Sequence, residues 1–252
     1  SKPKVDYEVI IADDGSTDET FDMLSIVDNV KLVKNQSDLN GFIGNVNYAA
    51  KFARGQFLLL LNNDTQVCRG WVDELITGMM DDNSIGVIGS KLIYPNGSLQ
   101  EAGGIIWKNG DGCNFGRGDS PDRYSYCYKK EVDYVSGASL LIRKSLWDRL
   151  GGLSVCYAPA YYDDVDLCFR ARELGYKVVY QPTSKVIHFE GISNGTNLET
   201  GLKRYQNINR EKFCKKWKLA LYNQCGSEDI FFSQDRKSTR LNSSHQAISY
   251  AV

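Results

Sequence analysis

The chain of 252 residues balances 30 Lys and Arg against 31 Asp and Glu, a net charge of −1, with 42% apolar and 12% aromatic residues. Those values belong to a globular protein with a sizeable core, and with no basic stripe in sight nucleic acid is excluded as an expected partner. No apolar run is long enough to cross a bilayer, and no signal peptide is visible.

Residues 7–12 are a β-branched run that predicts a strand, closed by Asp13, Asp14 and Gly15. Ser16 or Thr17 is then expected to cap a helix with acids in its first turn. Residues 31–33 predict a second short strand, and 45–53 a helix stopped by Gly55. Phe57–Leu61 is five apolar residues in a row, shut off by Asn62, Asn63 and Asp64, which predicts a strand buried on both faces. In such a strand Asn62 and Asp64 fall on one side. The alternation of strand and helix predicts an α/β fold with a mostly parallel sheet, flanked by crossover helices.

Further on, Trp71–Met80 carries apolar residues at Val72, Leu75, Ile76 and Met79 and predicts a helix, with a strand at 85–88. Residues 94–131 are rich in Gly, Asn and Tyr and predict a long excursion with a small hairpin near 104–107. Loops of that length are usually functional. A strand is expected at 132–142, running through Ser136, Gly137 and Ala138, then a short helix at 145–150. The acidic stretch 161–166 leads into a helix through Leu174 that stops at Gly175. Strands at 176–180 and 186–188 and a helix at 203–217, basic on one side, complete the series.

Seven cysteines are scattered, odd in number and never spaced Cys-x-x-Cys, a pattern that suits reduced thiols in a cytoplasmic protein. The chain opens on Ser1 with no methionine. Residues 235–252 read like a translated sequencing adapter, so they are expected to be a non-native tail, and His245 drops out as a ligand candidate. No linker divides 1–234, which is expected to be one domain from a longer reading frame.

Three acidic clusters follow a strand or open a helix: Asp13 with Asp14, Asp64, and Asp163 with Asp164 and Asp166. Each has an ordinary structural explanation as a helix cap or polar turn. Their shared place, at ends where an open α/β sheet forms its ligand crevice, favours a site. An oxygen-rich site with His188 as its one imidazole suits Mn or Mg.

These residues resemble the inverting family-2 glycosyltransferases of the GT-A fold, in the bacterial branch that builds surface polysaccharides. The likeness rests on five segments in order. Residues 8–18, Glu-Val-Ile-Ile-Ala-Asp-Asp-Gly-Ser-Thr-Asp, are similar to the family's first nucleotide-binding motif. Residues 55–64, ending Leu-Asn-Asn-Asp, resemble its Asp-x-Asp segment. Residues 135–138, Val-Ser-Gly-Ala, resemble a wall of the sugar pocket. Residues 162–170, Tyr-Asp-Asp-Val-Asp-Leu-Cys-Phe-Arg, resemble the segment with its Glu-Asp pair, and 188–191, His-Phe-Glu-Gly, its late His-x-x-Gly element.

The resemblance implies roles. Asp13 and Asp14 would hold the base and ribose of a UDP- or dTDP-sugar. Asp64, His188 and Asn62 would bind Mn or Mg, and Asn63, Ser136, Gly137, Ala138 and Arg170 would line the donor site. Asp164 would be the general base toward a glycan or lipid-linked acceptor, with Asp163 standing where the family more often has Glu. Arg170 has a helix-surface salt bridge as its alternative. Peripheral association with the inner face of the cell membrane is a further implication.

Two departures from the pattern stand out. Asn62 replaces the first acid of Asp-x-Asp, and the family's first strand has no counterpart before residue 7, leaving the sheet expected to lack it. A sugar-1-phosphate nucleotidyltransferase and a non-catalytic carbohydrate-binding domain are the competing readings, the latter favoured by Asn62.

Overall fold

The computed structural model describes residues 4–189 and 204–226. The chain enters through β1 (Val9–Asp13), α1 (Thr20–Ser25), β2 (Val30–Lys34) and α2 (Phe42–Ala50). β1 and β2 pair in parallel as a sheet of two strands, with Val9 opposite Val30 and Asp13 opposite Lys34. Neither Ser16 nor Thr17 caps α1. Asp13 draws the Ser16 amide and hydroxyl into its own loop, and the helix starts later, where the Asp18 carboxylate accepts from the Thr20 amide. The second helix begins three residues earlier than expected, because Gly41 takes φ 88°, a left-handed turn that only glycine adopts cheaply.

The larger sheet has seven strands. Its main path joins β3 (Phe57–Leu61) and β4 (Thr65–Val67) to three strands met further along: β5 (Ile85–Ile93), β10 (Ser139–Arg143) and β11 (Lys177–His188). The order is β3-β10-β5-β11-β4. α3 (Trp71–Met80) lies between β4 and β5 in the chain. After β5 come β6 (Leu99–Glu101), a hairpin of β7 (Gly104–Ile106) and β8 (Gly112–Asn114), and β9 (Lys130–Glu131). α4 (Lys144–Leu150) and α5 (Asp163–Glu173) separate β10 from β11, and α6 (Arg204–Lys216) and α7 (Lys218–Tyr222) follow.

The α/β class stands, and the sheet is mixed in detail. β5 and β11 run parallel, as do β1 and β2, whereas β10 runs antiparallel to both β3 and β5, and β4 antiparallel to β11. Among the described residues no strand joins β1 to β3.

Helices cover both faces of the larger sheet. On one face Leu75 and Met79 of α3 pack on Ile85, Ile88, Leu141 and Val179. On the other, Val87, Leu140, Ile142 and Val178 meet Trp147, Leu167, Phe169, Phe213 and Trp217. Leu75, Met79, Ile88 and Leu140 are fully buried, each worth about 1.5–3 kcal/mol against exposure.

Two expected strands are redrawn. Residues 132–138 are not strand. The Ser136 amide donates to the Glu101 carboxylate and the Gly137 amide to Asp164, so side chains satisfy backbone groups that a ladder would otherwise take. The segment crosses close over β5 at Gly89, where a Cβ would come within 2.4 Å of the Val135 Cβ. Conversely, 176–180 and 186–188 belong to one strand, β11. It is interrupted by register shifts between Lys177 and Val178 and between Gln181 and Lys185, and at the second Pro182 has no N–H to give.

Among the described residues no helix is long and apolar enough to cross a membrane. No disulfide joins any of the seven cysteines. Residues 235–252, and Glu190 and Gly191 of the late motif, lie outside the described residues.

Candidate active site

Three polar side chains, Asp64, His188 and Gln100, meet where β3 and β11 end beside β6. Asp64 follows β3 and His188 ends β11, and the β4–β11 ladder pairs Thr65 with His188. The Phe189 amide donates to the Asp64 carbonyl at 2.9 Å and fixes the two turns together. His188 Nε2 thereby lies 3.2 Å from Asp64 Oδ1, and both side chains are nearly buried. His188 Nδ1 is 3.2 Å from Gln100 Oε1 on β6. Asn62 stands one step back, its amide bonded to the Ala138 carbonyl and its own carbonyl accepting from the Thr65 hydroxyl. Asn63 is exposed at the rim.

The loop 136–138 links this cluster to α5. The Ser136 amide meets Glu101, the Ala138 amide meets the Ser136 hydroxyl, and the Gly137 amide donates to Asp164 Oδ2 at 3.0 Å. Asp164 Oδ1 accepts from the Val165 amide. Burial pushes the Asp164 carboxyl above its ordinary range, and the Gly137 and Val165 amides work against that rise. Asp163 is pushed up too, by burial first and then by the neighbouring Asp164 charge. The neighbours differ in access: Asp163 is buried at 4% exposure, whereas Asp164 is half-buried.

The backbone entering α5 is strained. Tyr161 and Tyr162 take φ of 72° and 65°, uncommon for bulky side chains and often a mark of functional sites. Asn209 of α6 holds this loop, donating through its side-chain amide to the carbonyls of Tyr157, Ala160 and Tyr161.

Asp13 and Asp14 sit at the end of β1, as their position after the strand implies. Asp13 is occupied by its own loop and Asp14 by the loop that follows β2. Asp13 accepts from the Ser16 side chain and from the Ser16 and Gly15 amides, which hold its carboxyl below the ordinary range. Asp14, exposed, accepts from the Asn35 side chain at 3.0 Å and the Gly41 amide at 2.7 Å.

Arg170 is the residue the structure takes out of the cluster. Its Nε donates to Asp166 and its two terminal nitrogens to the carbonyls of Leu150 and Gly152, so the expected reach toward a diphosphate gives way to a structural anchor. Asp166 is fully buried and also accepts from Tyr157, Lys216 and Trp217, which ties α6 to α5. Sequence reasoning missed Gln100, Glu101 and Asn209. The first two are adjacent polar residues in an apolar setting, Leu99 before and Ala102 after, and that buried Gln-Glu pair was the available signal.

No cluster of three or more His, Cys, Asp or Glu suited to a metal exists among the described residues. The protein offers two donors, Asp64 and His188, and Asp64 Oδ1 is buried with no hydrogen-bond partner. An orphaned carboxylate oxygen beside an imidazole fits a divalent cation whose other ligands come from substrate phosphates and water.

Comparison with known proteins gives the family. The model of glycosyl transferase family 2 matches residues 2–150, and the chain belongs to that family. Asp163, Asp164 and His188 lie beyond the matched stretch. The chain is 31% identical over 201 residues to the O-antigen biosynthesis protein RfbC of Myxococcus xanthus, covering 74% of this chain and 15% of that protein. It is 26% identical over 209 residues to the N-acetylglucosaminyl-diphospho-decaprenol L-rhamnosyltransferase of Mycobacterium tuberculosis, covering 74% of this chain and 68% of the relative. It thus spans only a small part of the first relative's length. The fold is similar to the crystal structure of GalNAc-T7 with UDP, GalNAc and Mn2+, at TM-score 0.61 and 17% identity over 92% of this chain and 51% of that one.

Proposed function

We propose that this glycosyltransferase moves a sugar, with inversion, from a UDP- or dTDP-sugar to a hydroxyl of a glycan or lipid-linked acceptor in surface-polysaccharide assembly. The observation that carries the reading is the arrangement of Asp164. It is the half-open member of an acidic pair, raised in pKa, and tied through Gly137 and Ala138 to the Asn62–Asp64 turn. A carboxylate of raised pKa accepts a proton more readily, which suits a general base for an acceptor alcohol. A single base on the face opposite the leaving group inverts the anomeric centre.

In this reading Asp64 and His188, supported by Asn62, hold Mn or Mg. When bound, the cation neutralises charge on the departing nucleotide diphosphate. Asp13 and Asp14 shape the loop that receives the base and ribose, Asn63 stands at the donor rim, and Ser136, Gly137 and Ala138 line the sugar pocket. Asp163, buried behind Asp164, keeps a negative charge off its neighbour while protonated. The unit carrying this activity is residues 1–234, at the cytoplasmic face of the membrane where lipid-linked acceptors are displayed.

Incubating the full chain with UDP- and dTDP-sugars, Mn2+ and a panel of glycan and lipid-linked acceptors tests the proposal. Nucleotide release that depends on acceptor, with an inverted anomeric signal in the product by NMR, is expected. Glycan binding without nucleotide release, or retained anomeric configuration, refutes it.

A further inference from the structure

The imidazole beside Asp64 is useful to a cation only if its Nε2 carries a lone pair. We infer that Gln100 sets this: it is a positioning residue that holds His188 in the Nδ1–H tautomer and leaves the Nε2 lone pair beside Asp64. The inference rests on the proposed Asp64–His188 cation site.

The argument starts from donor and acceptor chemistry. Gln100 is buried at 2% exposure, and its Oε1 meets His188 Nδ1 at 3.2 Å in hydrogen-bonding geometry. A carbonyl oxygen only accepts, so Nδ1 must carry the hydrogen. In a neutral ring Nε2 is then the bare nitrogen. The other side of the ring agrees. Asp64 Oδ1 is 3.2 Å from Nε2, yet it is buried and accepts no hydrogen bond. A bare nitrogen and an unpartnered carboxylate oxygen this close are two donors that a divalent cation would use.

Position follows from register. β6 is fixed to β5 by Ile93 opposite Leu99 and Leu92 opposite Glu101, and β5 to β11 by Ile93 opposite Ile187. Gln100 is therefore carried to His188 by two ladders. The excursion after β5 contributes to the site through this residue and through Glu101. Metal-binding histidines are commonly oriented by such a partner on the far nitrogen, and removing it lowers metal affinity about 10–100-fold.

The test uses the full chain labelled with 15N-histidine. The sequence has two histidines, and a His245→Gln variant assigns the His188 signals. Long-range 1H–15N spectra at about pH 8, above the ordinary imidazole pKa, should show Nδ1 protonated and Nε2 bare. Gln100→Leu should shift His188 toward the Nε2–H form, while Gln100→Glu, which keeps an acceptor, should preserve the wild-type tautomer. Mn2+ titration followed by electron paramagnetic resonance in the presence of UDP should show affinity falling about 10–100-fold in the Leu variant and largely restored in the Glu variant. An Nε2–H tautomer in the wild type overturns the inference. So does a Leu variant with unchanged tautomer and unchanged Mn2+ affinity. Wild-type protein that holds the Nδ1–H tautomer but binds no Mn2+ with UDP overturns the cation site itself, a failure the spectra separate from an error about Gln100.

Discussion

The two sheets of this molecule are built on different terms. In the two-stranded sheet only Asp13 of β1 and Val33 of β2 are buried, and α1 buries no residue at all. In the seven-stranded sheet eight of the nine residues of β5 are buried, as are seven of the eleven in α5. The first unit is held by polar staples, above all the carboxylates of Asp13 and Asp14. The second is held by a packed core, which can carry strained backbone and charged groups near one another. The half proposed to receive the donor is thus the less packed one, and the half proposed to hold metal and base is the more packed.

The largest expected effect lies in the more packed half. Asp164→Asn should lower the transfer rate about 10²–10⁴-fold while UDP affinity holds, as measured by single-turnover transfer and calorimetry. An unchanged rate would remove Asp164 as base. Next comes packing. Leu75→Ala should cost about 2–5 kcal/mol, because it empties a fully buried site. Ile26→Ala, at a position 83% exposed beside α1, should change stability by less than about 0.5 kcal/mol. Equal losses in urea unfolding would dissolve the contrast between the sheets.

Lys130 sharpens the comparison from another side. Its ammonium lies 3.7 Å from the Phe115 ring centre and within 6 Å of the Tyr126, Tyr128 and Tyr180 ring centres. Burial, with the Lys91 charge adding to it, pushes its pKa down from 10.5 to about 7. Between those values the unfolded chain binds the extra proton, so this group's penalty on folding is full below about pH 7 and fades as pH rises toward 10.5. Lys130→Met should therefore raise the melting temperature by several degrees at pH 6 and by clearly less at pH 9.5. A gain independent of pH would contradict this account.

Smaller effects probe the staples. Asn35 donates to both Asp14 and the Leu39 carbonyl. Asn35→Ala should weaken UDP binding several-fold and move the main melting transition little, since the core lies elsewhere. A lowered melting temperature with intact UDP binding would reverse the assignment. Smallest of all, deleting residues 235–252 should leave the melting temperature unchanged, and a clear drop would show that segment to be part of the native fold.

Much of the scaffold was legible in the sequence because local signals were strong. α3 spans Trp71–Met80 as its apolar spacing predicts, and Phe57–Leu61 is a strand as its composition announces, but at the sheet edge with only Leu58 buried rather than covered on both faces. The segment around Ser136 misled because its apolar and β-branched residues look like strand, while its amides are claimed by Glu101 and Asp164, far off in the chain. Beyond its place in a polar pair, the role of Gln100 was hidden for the same reason. A three-residue strand has too little period to read, and its partner His188 lies 88 positions away. Arg170 shows the converse: a basic residue near an acidic motif invites a ligand role, but three internal acceptors hold it.

The Asn209 clamp has a practical consequence for anyone trimming this enzyme. The left-handed turn that delivers α5 to the crevice is fastened from α6, well downstream of the stretch by which the family is recognised. A minimal catalytic unit cut at residue 150, or even just after β11, would discard the fastener, and in the first case the proposed base as well. Such a fragment would still look like its family to a sequence comparison and would be inert on the bench.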